Sequence, residues 1–269
     1  KSMHQSKMTG VGVAVHAVPD AYILMQTGVG CKYKVGVQIS WQDHVVHPVI
    51  EGVEVAATIV KIPFGSTPLK LEALSRTDDL QGRFPALEAG NFVLSVGTID
   101  PRKNQIMLCR LWRNLIASGL EVPQLVLVGR DDLGLGKGHS IYRDLLRSGK
   151  LLVLSGVGDA DIAALTAACR FTAFPSTSEG YGLPVAESLM QGKLCLASRL
   201  AVIEEQAGDP AWYFDVDDSR QAEELFRKAI QDRDAVGAAE ARIRVDYVRP
   251  TWTAAAKRLE AEAREAAST

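Results

Sequence analysis

Nowhere in its 269 residues does this chain carry an unbroken apolar run near the roughly 20 residues that a membrane-spanning helix needs. No secretory leader is visible either, although the sequence begins at Lys1 rather than Met, which leaves a removed targeting segment open. An excess of one charge is missing too: 30 Lys and Arg stand against 32 Asp and Glu, a net charge of −2, mixed along the chain. That balance argues against a nucleic-acid-binding face, which needs clustered cations. Cysteine is sparse. Cys31, Cys109, Cys169 and Cys195 have neither disulfide nor zinc spacing, and the last three fall within apolar patterns, so they are expected as reduced core residues. Together these absences point to a cytoplasmic protein, with peripheral association with a membrane left open.

Familiar phosphate and metal signatures are also lacking. Gly134-Leu135-Gly136-Lys137-Gly138 has the composition of a phosphate loop, but neither the P-loop order nor the six-position dinucleotide fingerprint, and reads as a surface loop. His44 and His47 could share a metal on a helix; Asp43-His44-Val45-Val46-His47-Pro48 reads instead as a strand or turn, which makes the pair incidental.

What the chain does have is a series of short apolar runs bounded by turn residues, at 92–96, 125–128, 151–154, 171–174, 194–197 and 212–214. Helical patterns separate them. In 221–230, Ala222, Leu225, Phe226, Ala229 and Ile230 fall on one face, an amphipathic stripe suited to core packing. Strands alternating with helices imply an α/β fold, a parallel sheet covered on both faces, whose ligands bind at the carboxyl ends of the strands near a topological switch point. Residues 97–103 and 175–182 both follow such ends, so two distant segments can converge on one ligand.

The second of these segments is the most informative. In Ser178-Glu179-Gly180-Tyr181-Gly182-Leu183-Pro184-Val185-Ala186-Glu187, one carboxylate lies in a Gly-rich turn and another eight residues on, inside the helix expected to follow. Glycines let backbone N–H groups approach a ligand, and a helix N-terminus offers unpaired donors to an anion. In the first segment, Arg102 and Lys103 stand at an expected helix start. Cations there oppose the positive end of the helix dipole, and a bound anion would resolve the conflict.

The stretch from Pro175 and Ser176 through Glu187 resembles the signature of retaining, nucleotide-sugar-dependent glycosyltransferases of family 4 (group 1), in their donor-binding domain. The block Phe92-Val93-Leu94-Ser95-Val96-Gly97-Thr98-Ile99-Asp100-Pro101-Arg102-Lys103-Asn104 is similar to the first strand, loop and helix start of that domain. Leu125-Val126-Leu127-Val128-Gly129 and Glu205-Gln206-Ala207-Gly208-Asp209 follow in the family's order, and Ile62-Pro63-Phe64-Gly65 is a fainter trace of its crossover. The resemblance implies a GT-B fold and a nucleoside-diphosphate sugar as substrate, with no cofactor and no metal. It implies that Arg102 and Lys103 meet the donor diphosphate beside Gly97 and Thr98. Glu179 and the amides of Gly180, Tyr181, Gly182 and Leu183 would hold sugar hydroxyls, Glu187 the ribose, and Val157, in Gly156-Val157-Gly158, the base. Glu179, Arg102 and Lys103 are the expected catalytic set, and the acceptor would be a glycan or other small acceptor. Thr98 stands where many relatives carry arginine, and Lys193 and Cys195 replace smaller or apolar residues; these departures bear on donor identity rather than on class.

A transferase of this fold needs two facing domains, yet only about 60 residues precede Ile62. The expected organisation is a truncated or much reduced acceptor-side region at 1–66, with sheet remnants at 11–15 and 53–60, a linker at 67–90, and a donor-binding domain at 91–269. Within the first region, Gly28-Val29-Gly30-Cys31-Lys32-Tyr33 resembles the Gly-Cys turn by which nitrogenase-component-like oxidoreductases ligate an iron–sulfur cluster. No partner cysteine lies at a matching spacing, so Cys31 reads as unpaired. Two other functions compete with transfer. One is a binding module that holds nucleotide sugar without transferring it, because its acceptor side is incomplete. The other is a different enzyme on the same fold, but no motif for the lysine-bound pyridoxal phosphate of a phosphorylase is evident, and an epimerase lacks the eight-spaced glutamates in this setting.

Overall fold

The computed structural model describes residues 12–16, 22–26, 49–50, 53–54, 79–131, 134, 138–248 and 251–268. Cys31, His44, His47, the Ile62-Pro63-Phe64-Gly65 trace and Leu135 to Lys137 of the Gly-rich loop lie outside the described residues. The chain divides into two compact units, residues 1–66 with 250–269, and residues 67–249. In the first, β1 (Gly12–His16) pairs antiparallel with β2 (Tyr22–Gln26), and β3 (Val49–Ile50) with β4 (Val53–Glu54). The strand expected at 53–60 is described only over its first two residues.

The second unit begins with the short helix α1 (Leu80–Arg83). Its Leu80, with Leu87 beyond it, is buried under the sheet, so the later part of the expected linker is packed. Two leucines seven apart in a polar stretch set no periodicity for a sequence reading to catch. Then follow β5 (Phe92–Val96), α2 (Gln105–Ala117), β6 (Gln124–Val128), α3 (Ser140–Arg147), β7 (Leu151–Leu154), α4 (Asp159–Ala168) and β8 (Thr172–Phe174). The unit is completed by α5 (Leu183–Met190), β9 (Cys195–Ser198), α6 (Ala201–Ala207), β10 (Trp212–Phe214), α7 (Ser219–Gln231) and α8 (Arg233–Asp246). The last helix, α9 (Trp252–Ser268), groups with residues 1–66, whereas the sequence reading kept 91–269 together.

The six strands β5 to β10 form one parallel sheet in the order β10-β9-β8-β5-β6-β7. Alternate side chains feed two cores. On one face Val93, Leu125 and Leu127 pack with Trp112, Phe171, Phe214 and Phe226; on the other Phe92, Leu94 and Val126 pack with Leu80, Leu87 and Leu165. Both faces being covered is what makes the strands continuous apolar runs rather than alternating ones. Phe226 sits edge-on to Trp112, Phe171 and Phe214 at centroid distances of 5.9, 6.1 and 5.5 Å, so the stripe read on α7 closes the larger core. Cys109, Cys169 and Cys195 are buried and, among the described residues, free, with thiols pushed up to about 12 by burial, as expected of inert core residues.

The chain leaves β5 toward one side of the sheet and later returns to lay β8 on its other side. The switch point therefore lies between β5 and β8. The loops at its carboxyl end are residues 97–104 and 175–182, the two segments singled out in the sequence.

Candidate functional site

The two loops are tied together by backbone and by charge. Arg102 carbonyl accepts from Thr177 N–H at 2.8 Å and from Thr177 Oγ1 at 3.2 Å. Lys103 Nζ donates to Glu179 Oε1 at 2.6 Å across the gap between them. Both side chains are sheltered, Lys103 being 15% and Glu179 6% exposed, and Lys103 Nζ also lies 5.0 Å from the centre of the Phe174 ring. Arg102 is different: half exposed, it reaches Ser178 carbonyl at 3.5 Å and stands 3.9 Å from Glu179. The site thus has one sheltered cation and one half-exposed one.

Local chemistry explains the first loop. Asp100 Oδ1 accepts from Lys103 N–H at 2.9 Å, closing a turn that aims Arg102 and Lys103 toward the second loop. Asn104 then takes a left-handed conformation, φ 54°, before α2 begins at Gln105, so the two cations precede the helix rather than lie in it. Gly97 has φ 148° and carries the aliphatic stem of Lys103 against it. Gly129, after β6, must also be glycine, because a Cβ there would lie 2.0 Å from Gly97 O. Thr98 is exposed at the rim.

In the second loop, Gly182 is the left-handed residue before α5, φ 85°, and a Cβ there would press on Ile203 and Gln206 of α6 at 3.3 and 3.4 Å. The helix starts at Leu183, with Pro184 in its first turn, where a missing N–H costs nothing. Leu183 itself is 51% exposed, an apolar group beside the two glycines. Gly180 is partly buried in the turn. Tyr181 is hydrogen-bonded to the Gln206 side chain and is a neighbour of Tyr247 beyond α8, and burial pushes its phenol up.

Glu187 lies one turn into α5. It borders a small cavity with Leu94, Val96, Ile162, Phe174 and Pro184, between α4 and α5. Burial pushes its carboxyl up, and the Asp159 carboxylate at the start of α4 pushes it further. Asp159 directly follows Gly156, Val157 and Gly158, so Glu187 and the loop expected to meet a base are neighbours. The structure brings Gly97, Thr98, Arg102, Lys103 and Glu179 to one place and Val157 and Glu187 to a second, with 180–183 between them in sequence. Asp159, Phe174 and Gln105 were missed in the sequence; Asp159 had a signal, an acidic residue at a helix start after a Gly-x-Gly turn.

Lys193 lies away from the two loops, whereas Cys195 lines the same small cavity as Glu187. Lys193 Nζ donates to Cys169 carbonyl at 2.8 Å and pairs with Glu240 at 3.5 Å, at the amino ends of β8 and β9, and Cys195 is buried in β9. Lys193 thus stands at the opposite end of the sheet from the two loops.

A parallel sheet in this order, with paired loops at its switch point, is the architecture of the GT-B glycosyltransferases. Residues 78–245 match the family of glycosyl transferases group 1, and the chain belongs to it. The chain is 28% identical over 159 residues to the serotype-specific mannosyltransferase WbdA of Escherichia coli, a match covering 58% of this chain and 18% of that protein. It is 29% identical over 146 residues to O-antigen chain mannosyltransferase B of Escherichia coli, covering 52% and 37%. Among solved structures it resembles Anabaena Alr3699/HepE, crystallised with UDP and glucose, at a TM-score of 0.59 and 17% identity, over 75% of this chain and 56% of that one. The chain therefore spans well under two thirds of each of these relatives. Among the described residues no helix is long and apolar enough to cross a membrane.

Proposed function

We propose that this chain forms the donor side of a retaining glycosyltransferase that moves a sugar from a nucleoside-diphosphate sugar to a glycan or other small acceptor. The observation that carries this reading is the Lys103–Glu179 bridge, which joins the two family motifs across the switch point. The relatives named as mannosyltransferases make a mannosyl donor the first candidate, and the likeness to a protein crystallised with UDP makes a nucleoside diphosphate its leaving group.

Cleaving the sugar–phosphate bond builds positive charge on the sugar and negative charge on the departing diphosphate. Arg102 and Lys103 beside Gly97 and Thr98 stabilise that diphosphate, a role that a metal ion fills elsewhere, so the reaction proceeds without one. Glu179 and the turn 180–183 face the sugar, Glu187 accepts from ribose hydroxyls, and the loop carrying Val157 borders the base. The cytoplasm, where no membrane crossing is asked of the donor, is the compartment this reading favours.

Calorimetric titration with UDP-, GDP- and ADP-sugars tests the proposal, and binding in the presence of EDTA tests the metal-free part. One of them should bind at micromolar to millimolar concentration; no binding across the panel sinks the donor reading. With a glycan acceptor, NMR of the product should give the anomer of the donor.

A further inference from the structure

Gln105 is the first residue of α2 and one of few polar side chains in the core, 2% exposed. Its Nε2 donates to Thr98 carbonyl at 2.9 Å and to Gly97 carbonyl at 3.2 Å. Two successive carbonyls of one loop are thus held by a single carboxamide. Among the described residues its Oε1 is buried without a hydrogen-bond partner. A hydrocarbon side chain of equal length would fill the same space and leave no oxygen unpaired, so the two carbonyl bonds are what the carboxamide adds.

Their direction matters to an anion. In a trans peptide the C=O and the following N–H point opposite ways, so drawing Gly97 carbonyl toward Gln105 turns Thr98 N–H to the other side. Ile99 N–H, the next donor, is already taken by Arg130 carbonyl at 2.8 Å. Gln105 Nε2 and the stem of Lys103 approach the same side of Gly97, at 3.8 and 3.7 Å from the place its Cβ would occupy. The left-handed Asn104 between them lets both return to one loop. Released, either carbonyl could turn toward the cations and set a negative dipole end against a phosphate.

We propose that Gln105 is a positioning residue for the diphosphate: its buried carboxamide holds the Gly97 and Thr98 carbonyls inward and so keeps the loop's donor face toward the anion. The inference rests on the donor reading above. It concerns which side chain shapes the loop, not which groups touch the ligand.

The test uses the full chain and whichever of UDP, GDP and ADP it binds best, with the matching nucleoside as comparator. Gln105→Met removes both bonds at nearly constant volume, and Gln105→Glu replaces the donor by an acceptor. Circular dichroism and thermal melting first establish that each is folded. Gln105→Met should weaken diphosphate about tenfold and change nucleoside affinity by less than about twofold, at every pH. Gln105→Glu should weaken diphosphate more at about pH 8, and recover toward the wild-type value near pH 5.5, where the buried carboxyl is protonated and donates to one carbonyl. A residue that only fills the core would shift both ligands alike and give no such recovery. Equal loss of both ligands, undiminished diphosphate binding by Gln105→Met, or no recovery of Gln105→Glu at low pH overturns the proposal. If one variant does not fold, the other decides by the same criteria; if neither folds, Gln105 is a structural residue and the proposal falls. Failure of the wild-type chain to bind any of the three diphosphates is a separate outcome, which sinks the donor reading instead.

Discussion

Two lysine–glutamate pairs of nearly equal burial sit at opposite ends of the same sheet. Lys103–Glu179 lies at the carboxyl ends of the strands, with side chains 15% and 6% exposed; Lys193–Glu240 lies at the amino ends, 17% and 12% exposed. Their surroundings differ. Lys193 is also bonded to Cys169 carbonyl, Glu240 also pairs with Arg244 at 3.3 Å, and a Cβ on Gly192 would lie 2.7 Å from Arg244 Cγ, so the cluster is filled by its own fold. Around Lys103 the neighbours are glycine-bearing loops, an aromatic face and an exposed arginine. Pairing and burial alone do not mark a site. Place on the sheet, and glycine-bearing loops around the pair, are what set the first apart from the second.

The largest effect should separate the two pairs. Arg102→Ala with Lys103→Ala removes two cations, each bond to a phosphate contributing about 1.5 to 3 kcal/mol, so diphosphate affinity should fall on the order of a hundredfold or more. Nucleoside affinity should change little. Lys193→Met should leave both ligands within about twofold, yet cost about 1 to 2 kcal/mol by stranding part of the Glu240 charge, a fall of roughly 3 to 6 °C in Tm. Calorimetry and thermal melting on the same samples decide it. Diphosphate binding lost equally in both variants would mean that the sheet ends are not functionally distinct.

How much of this contrast can be read from sequence follows from where the information lies. The strands at 92–96, 151–154 and 212–214 coincide with the observed ones end to end, and the others begin or end within a residue, because doubly covered strands are apolar throughout. The two loops of the switch point were legible for a similar reason: glycines and charges at strand ends are local features. The partners of Lys103 and Lys193 were not. Both lysines look alike in a string of letters, and Glu179 and Glu240 are distant from them along the chain. Lys193 bears on the donor in the sequence because it departs from the smaller or apolar residue of the family pattern, whereas the fold carries it to the far end of the sheet. Gln105 was missed for the same reason, since a glutamine at a helix start carries no local sign that two carbonyls converge on it.

A smaller effect sharpens the comparison from the side of the carboxylates. Glu179→Gln takes away the negative charge that Lys103 Nζ meets at 2.6 Å. Free nucleoside diphosphate should bind as well as before or more tightly, since Lys103 no longer divides its charge. The sugar-bearing donor should bind about tenfold less tightly or transfer more slowly, because a charged hydrogen bond to the sugar is lost. Titrating both ligands into a folded variant reads this directly. Should the free diphosphate weaken as much as the sugar donor, the turn at Glu179 is a phosphate or structural element, not the sugar-facing one.

The smallest effect concerns Glu187, which unlike either paired glutamate has Asp159 as its charged neighbour. Burial and that neighbour raise its carboxyl above the unfolded value of about 4.3, so between the two values the folded chain holds more protons than the unfolded one. Stability from this group is therefore greatest at low pH, declines as pH rises through the raised value, and is a full cost at neutral pH. Glu187→Gln should then raise Tm by about 1 to 2 °C near pH 7.5, the modest size reflecting a side chain still partly in water, and change it little near pH 4. The same variant should bind nucleotide about tenfold less tightly, having lost a carboxylate that ribose hydroxyls would meet. Calorimetric melting across that pH range, with one nucleotide titration, measures both. A variant less stable than the parent at neutral pH would mean that the carboxylate makes a bond the fold requires, and Glu187 would join Glu240 rather than Glu179.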